Sequence, residues 1–155
     1  MKYVQGNLFS APKGSLLIHS CNAQGVWGAG IASQFRLRFP FAYEDYKEYC
    51  KRPAEEILGT ARVFEEGGYF IASLVVSNQY GKRKDSPKDI LNRTDSACRQ
   101  LMRMTWASNV KPEVHMPKIN SGLFNVPWQK TESTIKPVLE MMAQLNVTVY
   151  EFGNK

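Results

Sequence analysis

The chain has 155 residues, 20 Lys and Arg against 14 Asp and Glu, and a formal net charge of +6. That length predicts one domain over residues 1–155, large enough to fold without disulfides or metal, and 43% hydrophobic with 22% charged residues excludes a disordered or fibrous chain. No apolar run approaches the roughly 18 residues of a membrane span and Met1–Gly6 has no signal-peptide core, so a soluble protein of the cytoplasm or nucleus is expected.

Cys21, Cys50 and Cys98 stand far apart with no C-x-x-C pair, which predicts reduced thiols and no zinc site. The positive charge suggests a polyanionic partner, nucleic acid or a phosphate-bearing small molecule, against the plainer reading of a solvated basic surface. It is uneven. Residues 82–103 carry Lys82, Arg83, Lys84, Lys88, Arg93, Arg99 and Arg103 against Asp85, Asp89 and Asp95, a net +4, while residues 53–66 are net −3.

In chain order, Lys2–Gln5 reads as a short strand ending at Gly6-Asn7, and Ser15–Ser20 as a buried strand by its continuous apolar run. A glycine-rich turn, Gly25 to Gly30, leads into a helix with Ile31, Phe35 and Phe39 on one face. That helix stops before Pro40, which suits the first position of another helix through Cys50. Ala61–Glu65 and Tyr69–Ser77 are two strands joined at Gly67-Gly68, the second apolar on both faces and therefore central. Ser86-Pro87-Lys88-Asp89 opens the longest helix, with a stripe of Ile90/Leu91, Ala97/Cys98, Leu101/Met102 and Trp106. Glu113–Ile119 and Val147–Phe152 are the last strands. Between them lies a helix with Ile135, Val138/Leu139, Met142 and Leu145 on one face, which Pro137 should kink. The pattern is α/β: a mixed sheet covered by helices on both sides.

Ligands in open α/β sheets collect where strand carboxyl ends enter loops, and three loops here are rich in Gly and Asn. The first runs from His19, Ser20, Cys21 and Asn22 to Trp27, Gly28, Ala29 and Gly30, then into Ile31 and Ala32. Its glycines and the helix start behind it suit a phosphate, or alternatively a tight structural turn; it is neither a Walker A loop nor a G-x-G-x-x-G fingerprint. The amide of Asn22 suits a ribose hydroxyl or an orienting water. His19 is either an acid–base group beside that phosphate or a buried neutral imidazole, and His115 reads as structural.

The second loop is Ile119, Asn120, Ser121, Gly122, Leu123, Phe124 and Asn125. Its amides could wrap a diphosphate while Phe124 caps a sugar, or Phe124 could simply belong to the core. The third is Asn7, Leu8 and Phe9. Asn7 could read a base edge and Phe9 stack on the base, or Asn7 could cap the turn. No carboxylate lies in any of the three.

Taken together, Tyr3–Pro12, Gly28-Ala-Gly-Ile-Ala32 and Ile119-Asn-Ser-Gly-Leu-Phe124 resemble the binding loops of the macrodomain family, the ADP-ribose-binding α/β fold, over nearly the whole chain. His19-Ser-Cys-Asn22, Trp27-Gly28 and Ile119–Trp128 are similar to the branch holding the ADP-ribose 1″-phosphate phosphatases and the terminal ADP-ribose protein glycohydrolases. The resemblance implies a three-layer α/β/α fold with a mixed, mostly six-stranded sheet. It also implies adenine on Asn7 and Leu8 with Phe152 at the same end, phosphate on Gly28 to Ala32, Asn22 at the distal ribose, and Ile119 to Asn125 around the diphosphate and ribose.

One departure stands out: the glycohydrolases place an aspartate where this chain has Phe124 and a catalytic lysine near Asn78, although Lys82, Arg83 and Lys84 follow closely. The expected activity is therefore a phosphomonoesterase on ADP-ribose 1″-phosphate, with water attacking phosphorus, Asn22 and the Ser121–Phe124 amides neutralising charge, and His19 as proton shuttle. A monomer binding a small-molecule substrate without metal, cofactor or membrane is expected. Hydrolysis of ADP-ribose from protein or nucleic acid and a non-catalytic ADP-ribose reader are the alternatives. A nucleic-acid surface on residues 82–103 ranks last, because that helix also carries a core stripe.

Overall fold

The computed structural model describes residues 1–109, 111–141 and 146–151. Among them, strands β1 (Lys2–Gln5), β2 (Leu16–Asn22), β3 (Ala61–Glu66), β4 (Tyr69–Ser77), β5 (Val114–Pro117) and β6 (Val147–Glu151) form one sheet in the order β1-β6-β5-β2-β4-β3. Only the β3–β4 hairpin is antiparallel. Its turn residues Gly67 and Gly68 both have positive φ, the conformation a two-residue hairpin with the strand twist requires.

Helices α1 (Gly30–Arg38), α2 (Pro40–Tyr49) and α3 (Ala54–Ile57) cover one face, and α4 (Pro87–Ala107) and α5 (Trp128–Met141) the other. Period-two alternation sorts the strands between these layers. From β2, Leu16 and Ile18 join the α4/α5 core while Leu17 and Cys21 join the α1/α2 core, and on β4 Ala72, Leu74 and Val76 alternate with Ile71 and Val75 in the same way. The three-layer α/β/α arrangement with a mixed sheet is thus present.

The local signals act as expected. Ser86 Oγ accepts the Asp89 N–H and Pro87 occupies the first turn of α4, while α1 ends at Arg38 and Pro40 starts α2. Helix α5 runs through Pro137, which has no N–H to give the Ser133 carbonyl.

Three expectations need correction. β5 ends at Pro117 rather than Ile119, because a proline cannot donate to the ladder and the chain then turns at Lys118. Trp106 is not in the core stripe: it is exposed on the last turn of α4, its ring 5.3 Å from Lys111 Nζ. The chain also makes elements that period counting misses, namely α3 and the 3₁₀ turns Leu8–Ser10 and Gly81–Arg83. Met142, Leu145 and Phe152 lie outside the described residues.

Phe35 anchors the α1/α2 layer: it is fully buried, stacked on His19 and edge-on to Phe9 and Trp27. Phe35→Ala is expected to lower the unfolding free energy by about 3–5 kcal/mol, whereas Trp106→Ala should change it by less than about 1 kcal/mol. Urea unfolding of both variants checks this, and equal losses would contradict the layer assignment.

Candidate active site

The parallel strands deliver their carboxyl ends to one edge, where a cleft of about 1300 Å³ opens. Gln5 comes from β1, Tyr150 and Glu151 from β6, Pro117 from β5, and Ser20 to Asn22 from β2. The loops that follow β2, β4 and β5 complete the walls.

Asn22 closes the first loop on itself. Its Oδ1 accepts the N–H groups of Gln24 (3.0 Å) and Val26 (3.2 Å), and its Nδ2 donates to the Val26 carbonyl (2.8 Å). Its own carbonyl takes the Tyr46 hydroxyl at 2.6 Å from beneath. Asn22 lines the cleft with its Oδ1 and one Nδ2 N–H committed to the loop, and its second Nδ2 N–H has no protein acceptor among the described residues. Beyond it, Trp27 is buried against His19, Phe35, Tyr43 and Tyr46 and aims the chain at α1.

The start of α1 has no side-chain cap and no acidic residue in its first turn, so its N–H groups face the cleft unopposed. Uncapped N–H groups with the helix dipole behind them favour an anion there. Gly30 has φ +61°, and a Cβ on it would lie 3.4 Å from Leu123 of the opposite loop.

The second loop is fastened by Asn120, whose Nδ2 donates to the hydroxyls of Thr94 (3.0 Å) and Thr131 (3.2 Å). Its backbone, at φ +69°, donates to Ser20 Oγ and accepts from Val126 N. Ser121 is turned inward on the Lys118 carbonyl. The next three N–H groups, of Gly122, Leu123 and Phe124, have no protein acceptor among the described residues. Two segments with uncommitted amides therefore line the same cleft, with the exposed side chain of Leu123 beside Gly30. Phe124 packs against the α4/α5 core and also lines the cleft.

Of the sequence-derived residues, Ser20, Cys21, Asn22, Trp27, Gly28 to Ala32 and Ile119 to Phe124 line the cleft; Asn125 does not. The third loop is set back from it. Asn7 Oδ1 accepts Phe9 N at 2.9 Å as the cap of the Leu8–Ser10 turn, Leu8 is fully buried, and the Phe9 ring is occupied by Phe35, Phe39 and the Arg38 guanidinium. Phe152 lies outside the described residues.

His19 is the clearest correction. Sitting mid-strand, it points into the α1/α2 core rather than the cleft, where Nε2 meets Ser73 Oγ at 2.9 Å and the ring stacks on Phe35 at 4.0 Å. Burial lowers its pKa to about 3, so it cannot shuttle protons at neutral pH. Burial likewise pushes the Cys21 thiol far above its ordinary value, which keeps it protonated at neutral pH. His115 is structural, between Tyr150 Oη (2.8 Å) and Glu113 (3.0 Å).

Residues that loop-reading missed come from strand ends: Gln5, Tyr150 and Glu151, with Lys118 Nζ 2.7 Å from Glu151. Tyr80, Gly81, Lys82 and Lys84, which follow β4, are also in the wall. The rule that every parallel strand contributes its carboxyl end would have found them. Among the described residues, no three His, Cys, Asp or Glu side chains converge as metal ligands do.

The Macro domain family model matches residues 18–135. The chain belongs to the Macro domain family. The macrodomain is 35% identical over 161 residues to a Meyerozyma guilliermondii protein named ADP-ribose 1″-phosphate phosphatase, covering 88% of this chain and 92% of that one. It is 36% identical over 164 residues to a protein of the same name from Lodderomyces elongisporus, covering 97% of each. In fold it resembles the macrodomain of Mycobacterium tuberculosis DarG, with a TM-score of 0.82 at 24% identity, covering 96% of this chain and 95% of that one.

The buried His19 makes the macrodomain's stability depend on pH. An unfolded histidine takes its proton near 6.5 and the folded one near 3, so between these values the unfolded state binds more protons. This contribution is fully present above pH 6.5 and is lost as pH falls through that window, at up to about 1.4 kcal/mol per pH unit. Urea unfolding at pH 7 and pH 4.5 should show a weaker pH dependence in His19→Gln than in the wild type; equal slopes would place a proton on the buried ring.

Proposed function

We propose that this macrodomain hydrolyses ADP-ribose 1″-phosphate to ADP-ribose and phosphate. The observation that carries the reading is two segments with uncommitted amides, the start of α1 and Gly122–Phe124, lining one cleft of about 1300 Å³. The relatives of that name, at 35–36% identity over most of the chain, support the choice of substrate.

Phosphoryl transfer to water needs an aligned attacking oxygen and donors for the charge on the equatorial oxygens, more than it needs a covalent catalyst. Backbone N–H groups fixed by buried asparagines supply such donors without rearrangement. With His19 turned into the α1/α2 core, its imidazole takes no part. The water attacks phosphorus, the P–O bond to the sugar's anomeric oxygen breaks, and that oxygen leaves with a proton from solvent. Asn22 closes the loop and keeps one Nδ2 N–H at the cleft wall for the ligand or the attacking water.

Purified protein incubated with ADP-ribose 1″-phosphate should release inorganic phosphate. Gly30→Val, which forces a β-branched residue to positive φ against Leu123, should slow release on the order of 10²-fold with the fold intact. Release of ADP-ribose from modified carboxylates instead would make the chain a glycohydrolase, and ADP-ribose binding without turnover of either substrate would make it a reader.

A further inference from the structure

The cleft changes character along its length. Near β1 and β6 it presents the amide of Gln5, the ring of Tyr150 and the Glu151 carboxylate, whose charge is balanced by Lys118 at 2.7 Å. That end suits a neutral, hydrogen-bonding group. The middle holds the free amides. At the far end, past β2, the turn after β4 places Lys82 and Lys84 in the wall, and neither has an ion-pair partner among the described residues. The order β6-β5-β2-β4 separates the two ends by three strand spacings, roughly 14 Å.

The turn bearing these lysines is built rather than loose. Ser77 Oγ donates to the Gln79 carbonyl (2.6 Å) and accepts Asp85 N–H (3.0 Å), closing its neck. The Asp85 carboxylate accepts Asn78 N–H (2.8 Å) and pairs with Arg93 of α4. Gln24 Nε2 reaches the carbonyl and side-chain oxygen of Asn78 at 3.1 Å, tying the turn to the β2 loop. The nearest carboxylate is thus committed to Arg93 and does not cancel the lysines.

We infer that Lys82 and Lys84 form a subsite for the terminal phosphoryl group, distinguishing a nucleotide that ends in a phosphomonoester from one that ends in a hydroxyl. A phosphomonoester carries about −1.5 to −2 charges at pH 7 with a second pKa near 6, and two ammonium groups meet it as point charges. A terminal hydroxyl offers them nothing. Asp85 is the positioning residue of this subsite, since it holds the turn by both Asn78 N–H and Arg93. The inference rests on the phosphatase reading and deepens it by naming what selects substrate over product.

In the full chain, kcat and KM for phosphate release from ADP-ribose 1″-phosphate are compared with the inhibition constant of ADP-ribose in the same assay. Lys82→Gln/Lys84→Gln should raise KM by roughly tenfold or more and shift the ADP-ribose constant less than about threefold, and Lys82→Arg/Lys84→Arg should retain the preference. The wild-type preference should weaken below about pH 6, as the phosphomonoester takes its second proton. Equal loss for both ligands, or for neither, would overturn the inference. Should the wild type release no phosphate, the phosphatase reading fails by itself. Calorimetric binding of the two ligands to wild type and double variant then tests the lysines separately: a loss confined to the phosphorylated ligand supports the subsite, and equal affinities lost or kept overturn it.

Discussion

Parallel pairing of β2 with β5 on one side and β4 on the other is the constraint on which the site depends. It sends the chain out of neighbouring strands at the same edge, so the loops after β2, β4 and β5 become walls of one cleft although they are far apart in sequence. The crossovers that make parallel pairing possible are α4 and α5 on one face, with α1 and α2 on the other, and strands covered on both faces must be apolar on both. Polar chemistry is thereby excluded from mid-strand and confined to the strand ends. His19 illustrates the rule: three residues before the end of β2 it is sealed against Phe35, while Asn22 at the end is in the cleft wall.

At that edge, two asparagines do comparable work in different directions. Asn22 folds its own loop back on itself, and Asn120 ties the second loop down to Thr94 on α4 and Thr131 on α5. Each spends side-chain hydrogen bonds on scaffold, and what is left unpaired is backbone N–H and one Nδ2 N–H of Asn22. A ligand is thus met by groups that have no rotamer freedom to lose, which is the sense in which the cleft is preorganised. Asn120 Oδ1 and Trp27 Nε1 are nonetheless buried without partners among the described residues.

The layered fold was legible because its signals are local: the continuous apolar run of β2, Gly67-Gly68 in the hairpin, Ser86-Pro87 at the head of α4, and Pro40 between α1 and α2. The first two cleft loops were legible too, with Gly25, Gly30, Asn120 and Asn125 at positive φ. What stayed hidden depends on direction in space. Whether His19 faced the cleft or the core turned on strand parity across the β2–β4 pair, where Ser73 waits for it, and a run apolar on both faces carries no such marker. For Asn7 to Phe9 the sequence left a base contact and a turn cap open, and the Phe9 N–H to Asn7 Oδ1 bond is that cap. Tyr150 and Glu151 were invisible for the opposite reason: a strand end with no glycine has no compositional signature, and only the sheet order brings it beside the others.

The same spatial sorting gives the net charge a different meaning. The basic stretch 82–103 looks in sequence like one cationic surface, but Arg93 is committed to Asp85 and Arg99 to Asp95. Lys88 and Arg103 lie on the exposed side of α4, where salt screens charges more than roughly 10 Å apart. Lys82 and Lys84 differ in lying at a concave wall made partly of apolar side chains such as Leu123 and Phe124. A cleft with low-dielectric walls focuses the field of charges at its rim. Under the subsite inferred above, Lys82 and Lys84 are the part of the +6 that meets the ligand's terminal phosphate.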